Sequence, residues 1–188
     1  KKFTNKNYIR PENIIPIGHY YLEKKINEKN EDCSLYSIKY KKIIVVSTQD
    51  SVQKELIQKI EEIAKIKENI LFIIKTRDTN QALSRYKNVK VSSQDIYSLI
   101  KQADMHISCY STVALEASMV GTPTILININ NMSSLYFDLI INEFPNIIIC
   151  ESISDVINKI DNWCPEKTDN FPYALNNKDR IKRFVGSL

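Results

Sequence analysis

Glycine is scarce in this chain, with three in 188 residues. None lies between Gly18 and Gly121, so there is no Gly-x-x-x-x-Gly-Lys phosphate loop and no glycine-rich turn after the first strand. Histidine is rarer still, with two. The four cysteines, Cys33, Cys109, Cys150 and Cys164, form no close pair and have no companion histidine spacing. That argues against a zinc site and a disulfide framework, and a reducing cytoplasm is the simpler home. No apolar run approaches the roughly 20 residues needed to span a bilayer, and no stretch has the pattern of a signal peptide. Strong charge of either sign is missing too: 26 basic residues face 22 acidic ones, a net charge of +4. This mild excess suits an anionic small ligand or a membrane surface and gives no sign of nucleic acid as a partner. Most of the lysines read as solvating helix faces.

What remains is the composition of an ordinary globular protein, 43% hydrophobic and 26% charged. The length supports one well-buried domain rather than two. The opening stretch, KKFTNKNYIRPENIIPIG, has no initiator methionine and is aromatic and charged. We expect residues 1–40 to be a lead-in from a preceding domain and residues 41–188 to be the folded domain.

Apolar runs and helical spacing alternate from there. KKIIVVS (41–47), ILFIIK (70–75), VKVS (89–92), MHIS (105–108), PTILIN and NIIICE (146–151) read as strands. Between the first two, Leu56, Ile57, Ile60, Ile63 and Ala64 follow helical spacing, with Asp50 or Ser51 as a cap. Further helices are expected over 93–103 capped by Ser93, over 112–120 stopped by Gly121, and over 134–143. Another follows Ser152 or Ser154 as far as Trp163, and the terminal NNKDRIKRFVGSL is a last candidate. Strands alternating with helices imply parallel pairing through right-handed crossovers, and strands apolar on both faces imply a sheet covered by helices. The expected fold is α/β: a doubly wound, mainly parallel six-stranded sheet of Rossmann-like type.

In the usual order 3-2-1-4-5-6, ligands bind beyond the carboxyl ends of the strands where the sheet reverses, between the first and fourth strands. The two loops that meet there are STQDS (47–51) and SCYST (108–112). Ser111 and Thr112 start a helix whose free N–H groups and positive end suit an anion, and Ser47 and Thr48 face them. Glu116 lies one turn further along the helix and is placed to accept hydrogen bonds from ribose hydroxyls. Lys75 and Arg77 end the second strand, where cations would meet phosphate. The plainer reading is local: a Ser or Thr before a helix is first of all an N-cap, worth about 1 kcal/mol without any ligand.

Other polar residues read as structural. His106 falls inside a buried strand and is expected to be a hydrogen-bonded core histidine. Cys109 adjoins the helix start and would have a lowered pKa there, but no base stands at a recognisable spacing to make it a nucleophile. Tyr110 either stacks on a base or packs the loop. Base recognition is expected from backbone and apolar groups around Ser92 to Ile96. Tyr136 and Phe137 read as core. DRIKRF (179–184) offers a basic face for peripheral membrane association, though a solvated helix is the simpler account.

ADMHISCYSTVALEASMVGTPTILIN resembles the C-terminal, nucleotide-sugar-binding half of GT-B glycosyltransferases of bacterial capsule, lipopolysaccharide and teichoic-acid synthesis. There, a strand ending near Ser-Thr leads into a helix bearing Glu, then Gly-x-Pro and another strand. Here these are Ser111, Thr112, Glu116, Gly121 and Pro123. ENIIPIGHYYLE is similar to the segment joining the acceptor and donor domains of such enzymes, so the resemblance spans residues 12–163. KTRD stands where relatives carry a basic or His-Pro element. The resemblance implies transfer of a sugar or polyol phosphate from a nucleotide-activated donor, without metal or cofactor, at the cytoplasmic side of the membrane. It implies that Ser111 and Thr112 contact donor phosphate and that Glu116 holds ribose. It also implies an N-terminal acceptor domain supplying the general base, so that this chain alone would bind nucleotide and turn over little.

Two rival classes stand beside this reading. A sugar-nucleotide epimerase or hydrolase of the same architecture uses acidic and histidine residues in the cleft, and neither loop carries that constellation. A non-catalytic regulatory module of the receiver type needs acids at the strand ends, where IIVVSTQD offers only an offset Asp50 and LFIIKTRD ends in Lys. Fold alone does not decide among these.

Overall fold

The computed structural model describes residues 20–28, 39–76, 85–165 and 177–185. The chain divides into two compact units, residues 1–28 with 172–188 and residues 29–171. In the smaller unit, helix α1 (Tyr20–Asn27) meets α7 (Asn177–Val185). The backbone N–H of Asn177 donates to the Glu23 carboxylate at 3.0 Å, and its side-chain amide donates to the same oxygen.

The larger unit is a single six-stranded sheet. Its strands are β1 (Lys42–Ser47), β2 (Ile70–Lys75), β3 (Val89–Val91), β4 (Met105–Ser108), β5 (Thr124–Ile127) and β6 (Ile147–Cys150). Every pairing is parallel, in the order β3-β2-β1-β4-β5-β6. This is the doubly wound α/β fold expected from the alternation of elements. The helices α2 (Gln53–Ile66) and α6 (Ile153–Asn162) touch each other and cover β2, β5 and β6. The helices α3 (Ile96–Gln102) and α4 (Val113–Met119) pack together over β1, β4, β5 and β6.

Side chains alternate faces along each strand, and the alternation separates two interiors. Ile44 and Val46 of β1, Met105 and Ile107 of β4, and Ile125 and Ile127 of β5 join the apolar cluster that also holds Leu56, Ile60, Val156 and Ile160. Their strand neighbours Ser47, His106, Ser108 and Thr124 are also buried and point to the opposite face. A short polar stripe therefore crosses β1, β4 and β5 inside an otherwise apolar sheet.

Several helix boundaries differ from the sequence reading. Neither Asp50 nor Ser51 caps α2; its N-cap is Val52, without a side-chain bond. Asp95 rather than Ser93 caps α3, accepting from the Ser98 N–H at 3.3 Å. The expected helix over 134–143 is instead α5 (Met132–Phe137) and a 3-10 turn, Ile141–Glu143. Ser152 does cap α6, accepting from the Asp155 N–H. Helix α4 ends as Gly121 demands: at φ 84° the residue occupies the left-handed region that a side chain resists. The Gly121 N–H then returns to Ser118 and the Thr122 N–H to Ala117, which satisfies the last carbonyls.

Candidate functional site

A cleft of about 510 Å³ opens at the carboxyl ends of β1, β2 and β4. The parallel register makes it: Val46 pairs with Ile107 on one side and Ile74 on the other, so three strands end together. Ser47 enters from the end of β1, Thr48 and Ser51 from the loop after it, Lys75 from the end of β2 with Thr76 just beyond, and Tyr110 and Ser111 from the loop after β4. Ile96 and Val113, at the starts of α3 and α4, supply apolar wall. The two loops named from the sequence do meet at the switch point.

The loops are fastened to one another. The Gln49 amide donates to the Ser108 hydroxyl at 3.1 Å and to the Ser47 carbonyl at 3.3 Å, while its oxygen accepts from the Tyr110 N–H at 3.3 Å. Ser51 and Tyr110 share a hydrogen bond between their hydroxyls. The Tyr110 ring stacks on Tyr136, with centroids 5.0 Å apart. On the other side, Thr48 and Thr76 both donate to the Gln53 side-chain oxygen, at 3.0 and 2.6 Å. The Lys75 ammonium donates to the Ser93 carbonyl at 2.9 Å. That bond uses one of its three protons and holds the charge at the rim.

Beneath the cleft the polar stripe resolves into a directed chain. Ser108 donates to the Ser47 carbonyl at 2.9 Å, so its only proton is used there. Ser47 must then donate to Ser108, at 3.1 Å. His106, fully buried, must offer Nε2–H to the Ser47 hydroxyl at 2.9 Å and accept at Nδ1 from Thr124 at 3.2 Å. The proton count thus fixes the tautomer. Burial opposes a charged ring and lowers the His106 pKa to about 3. His106 is therefore the neutral core histidine expected from its strand.

The other predicted residues fall as follows. Thr112 is exposed and stands at the N-cap position of α4, but its backbone is already helical and its side chain makes no cap bond. Ser111 takes that part, its hydroxyl accepting from the Val113 N–H at 3.2 Å. Glu116 lies half-buried in the first turn of α4 and is not among the residues lining the cleft. Arg77 lies outside the described residues.

Cys109 does not have the lowered pKa expected beside a helix start. Its side chain is buried against Ile129 and Ser133, and desolvation raises the thiol pKa instead. Tyr136 is 55% exposed rather than core, whereas Phe137 is buried. Sequence reasoning passed over Gln49, Gln53 and Thr76. Their signal was present, because long amides beside strand-end hydroxyls are the side chains able to span two loops.

No helix among the described residues is long and apolar enough to cross a membrane. No curated protein matches the sequence. Among solved structures, the chain is similar to the UDP-GlcNAc 2-epimerase of Methanocaldococcus jannaschii, solved in complex with UDP-GlcNAc and UDP. That match has a TM-score of 0.71 at 16% identity and covers 97% of this chain and 57% of the other. MnaA of S. aureus, solved with UDP, gives 0.71 at 10% identity over 97% and 56%. The wall teichoic acid polymerase TagF gives 0.59 at 17% identity over 95% and 48%. At these identities the likeness shows the fold, and the chain spans about half the length of the chains it matches. Over residues 12–181 the sequence matches the family described as "Protein of unknown function (DUF354)", and the chain belongs to that family.

Proposed function

We propose that this chain is the donor-binding domain of a glycosyltransferase, or polyol-phosphate transferase, of bacterial cell-surface polysaccharide synthesis. In this reading residues 41–188 take the nucleotide-activated donor, and residues 1–40 lead in from an N-terminal acceptor domain. The enzyme works in the cytoplasm, with the inner face of the membrane within reach. One observation carries the proposal: five of the eight residues singled out from sequence, Ser47, Thr48, Lys75, Tyr110 and Ser111, line one cleft at the topological switch point.

The chemistry follows from that lining. The departing nucleotide phosphate gains negative charge as the sugar leaves. The Lys75 ammonium and the Ser51 and Ser111 hydroxyls are preorganised donors for that charge. Ser47 is already committed to Ser108, so its role is to shape the floor. Ile96 offers an apolar edge to the base, in keeping with the stretch from Ser92 onwards. Thr112 and Arg77 add phosphate contacts, and Glu116, one turn into α4, accepts from the ribose. The solved relatives carrying UDP or UDP-GlcNAc are compatible with such a ligand.

Calorimetric titration with CMP, CDP, UDP and GDP tests the reading. Binding of one base, weakened about tenfold or more by Glu116→Ala, is the expected outcome. A folded chain that binds none of them at millimolar concentration overturns it and leaves Ser111 as a helix cap. A second reading, sugar-nucleotide epimerisation, is favoured by the likeness to the M. jannaschii epimerase. Conversion of UDP-GlcNAc without any acceptor, by a chain that includes the preceding domain, would select it.

A further inference from the structure

A second cleft, of about 370 Å³, lies at the opposite, amino ends of the strands. Three separate segments bring cations to it: Lys39 from the approach to β1, Lys65 from the last turn of α2, and Arg85 and Lys87 from the turn before β3. Glu68 is the one carboxylate among its lining residues. Among the described residues, none of the four cations forms a salt bridge. We propose that this cleft is a second ligand site, for a compact polyanion carrying a diphosphate or two closely spaced phosphate groups.

The crowding of charge is the first support. Four cations against one carboxylate repel one another, and a cleft concentrates their field on whatever enters it. They come from stretches far apart in sequence, so no single lysine-rich run produced the cluster. A helix end explains only part of it. The carboxyl end of α2 carries a partial negative charge of about half a unit, which favours Lys65 but does not account for Arg85 or Lys87. Two carbonyls at that end, Ala64 and Lys67, already accept from the Asn88 amide at 3.0 and 3.1 Å.

The walls are also fixed before any ligand arrives. Asn88 donates to the Ile70 carbonyl as well, at 3.0 Å, and Tyr40 donates to the Lys87 carbonyl at 3.2 Å. Lys39 lies 5.5 Å over the Tyr40 ring. Arg85 provides the planar fork that suits two phosphate oxygens, and the lysines provide point charges beside it. Strand β2, with Glu68 before it and Lys75 at its end, spans about 20 Å. One diphosphate therefore cannot serve both clefts, and this site is independent of the donor cleft.

The test is amide NMR of the 188-residue chain titrated with inorganic pyrophosphate, for the native protein and for Arg85→Ala/Lys87→Ala. Both side chains are exposed, so their removal spares the core. The expected result is a saturable shift of the Glu68, Tyr86 and Asn88 amides, weakened roughly tenfold or more in the double variant. Shifts at Thr48 and Ser111, if pyrophosphate also enters the first cleft, would be the same in both proteins. No shift at the amino end in the low millimolar range overturns the proposal, as does a shift that the double variant leaves unchanged. Cosedimentation with phosphatidylcholine vesicles containing phosphatidylinositol 4,5-bisphosphate, whose headgroup carries two adjacent phosphates, separates the sources. Pelleting that the double variant abolishes assigns the anion to a lipid headgroup. Pyrophosphate shifts without pelleting assign it to a soluble phosphate ester.

Discussion

At the carboxyl end of the sheet one carboxamide, Gln49, ties the loop after β1 to the loop after β4. At the amino end another, Asn88, ties the last turn of α2 to the start of β2. Gln49 is half-buried, spans 3.1 to 3.3 Å to its partners, and one of those partners is a side-chain hydroxyl. Asn88 is 6% exposed and reaches only main-chain carbonyls. The carboxyl end is thus held by polar side chains that can exchange partners with a ligand. The amino end is held by one amide on main-chain carbonyls, two of them at buried hydrogen bonds. One end of the sheet can adapt at low cost, and the other is braced.

The sharpest way to break this comparison is Asn88→Ala. The buried Ala64 and Ile70 carbonyls lose this donor at once, while the part-buried Lys67 carbonyl keeps the Ile70 N–H, and unsatisfied buried acceptors are expensive. We expect a loss of about 3 kcal/mol, read as a lower urea midpoint with an unchanged slope. Asn88→Asp should be as damaging, because a carboxylate has no proton to give. A loss below about 1 kcal/mol would mean that water reaches those carbonyls and that the brace is not one.

The polar stripe beneath the first cleft gives a pH test. His106 is neutral in the folded chain down to about pH 3, against 6.5 for an exposed ring. The unfolded chain takes up the proton first, so stability is complete above pH 6.5 and falls as pH drops toward 3. At pH 5 this one group should remove about 2 kcal/mol. His106→Gln, which does not titrate, should flatten that part of the profile even if it lowers stability throughout. An unchanged slope would show that the ring is not the group responsible.

The sheet was legible in the sequence because its strands are short β-branched runs at regular intervals, and the order of elements left one economical topology. The Ser111 region was legible for the same reason: once the order is known, the loops that meet are known. The stripe was legible only in part. His106 could be placed in a strand, but its partners Ser47, Ser108 and Thr124 come from three strands. Register had to be known before they could be seen as one chain. Helix starts failed where the expected capping hydroxyl was engaged elsewhere, as Ser51 is with Tyr110, and where the capping acid stood two residues later than the first hydroxyl, as at Asp95. Cys109 misled because a helix start suggests a low thiol pKa, whereas burial under α5 has the larger effect. The basic cleft was invisible, since its four cations lie on segments that sequence spacing does not bring together.

Gln49→Ala should cost less than Asn88→Ala, because its partners lie near solvent. About 1.5 kcal/mol is expected from three lost hydrogen bonds that water can partly replace. The more telling readout is hydrogen exchange. The Tyr110 amide donates to Gln49 and should exchange faster in the variant, while the Ile107 amide inside β4 should not change. Equal acceleration at both positions would mean that Gln49 supports the whole strand pair and not the two loops.

The smallest effect on stability should come from Lys75→Met. The ammonium makes one hydrogen bond, to the Ser93 carbonyl, at a position open to solvent. Its loss should change the unfolding free energy by no more than about 0.5 kcal/mol, since methionine keeps most of the aliphatic stem. The charge itself stands at the mouth of the first cleft, where it would meet a bound phosphate. Nucleotide affinity should therefore fall about tenfold while stability stays level, and the deficit should shrink as salt is raised and screening replaces the lost cation. Should stability and affinity fall together, Lys75 is a brace like Asn88, and the contrast between the two ends of the sheet disappears.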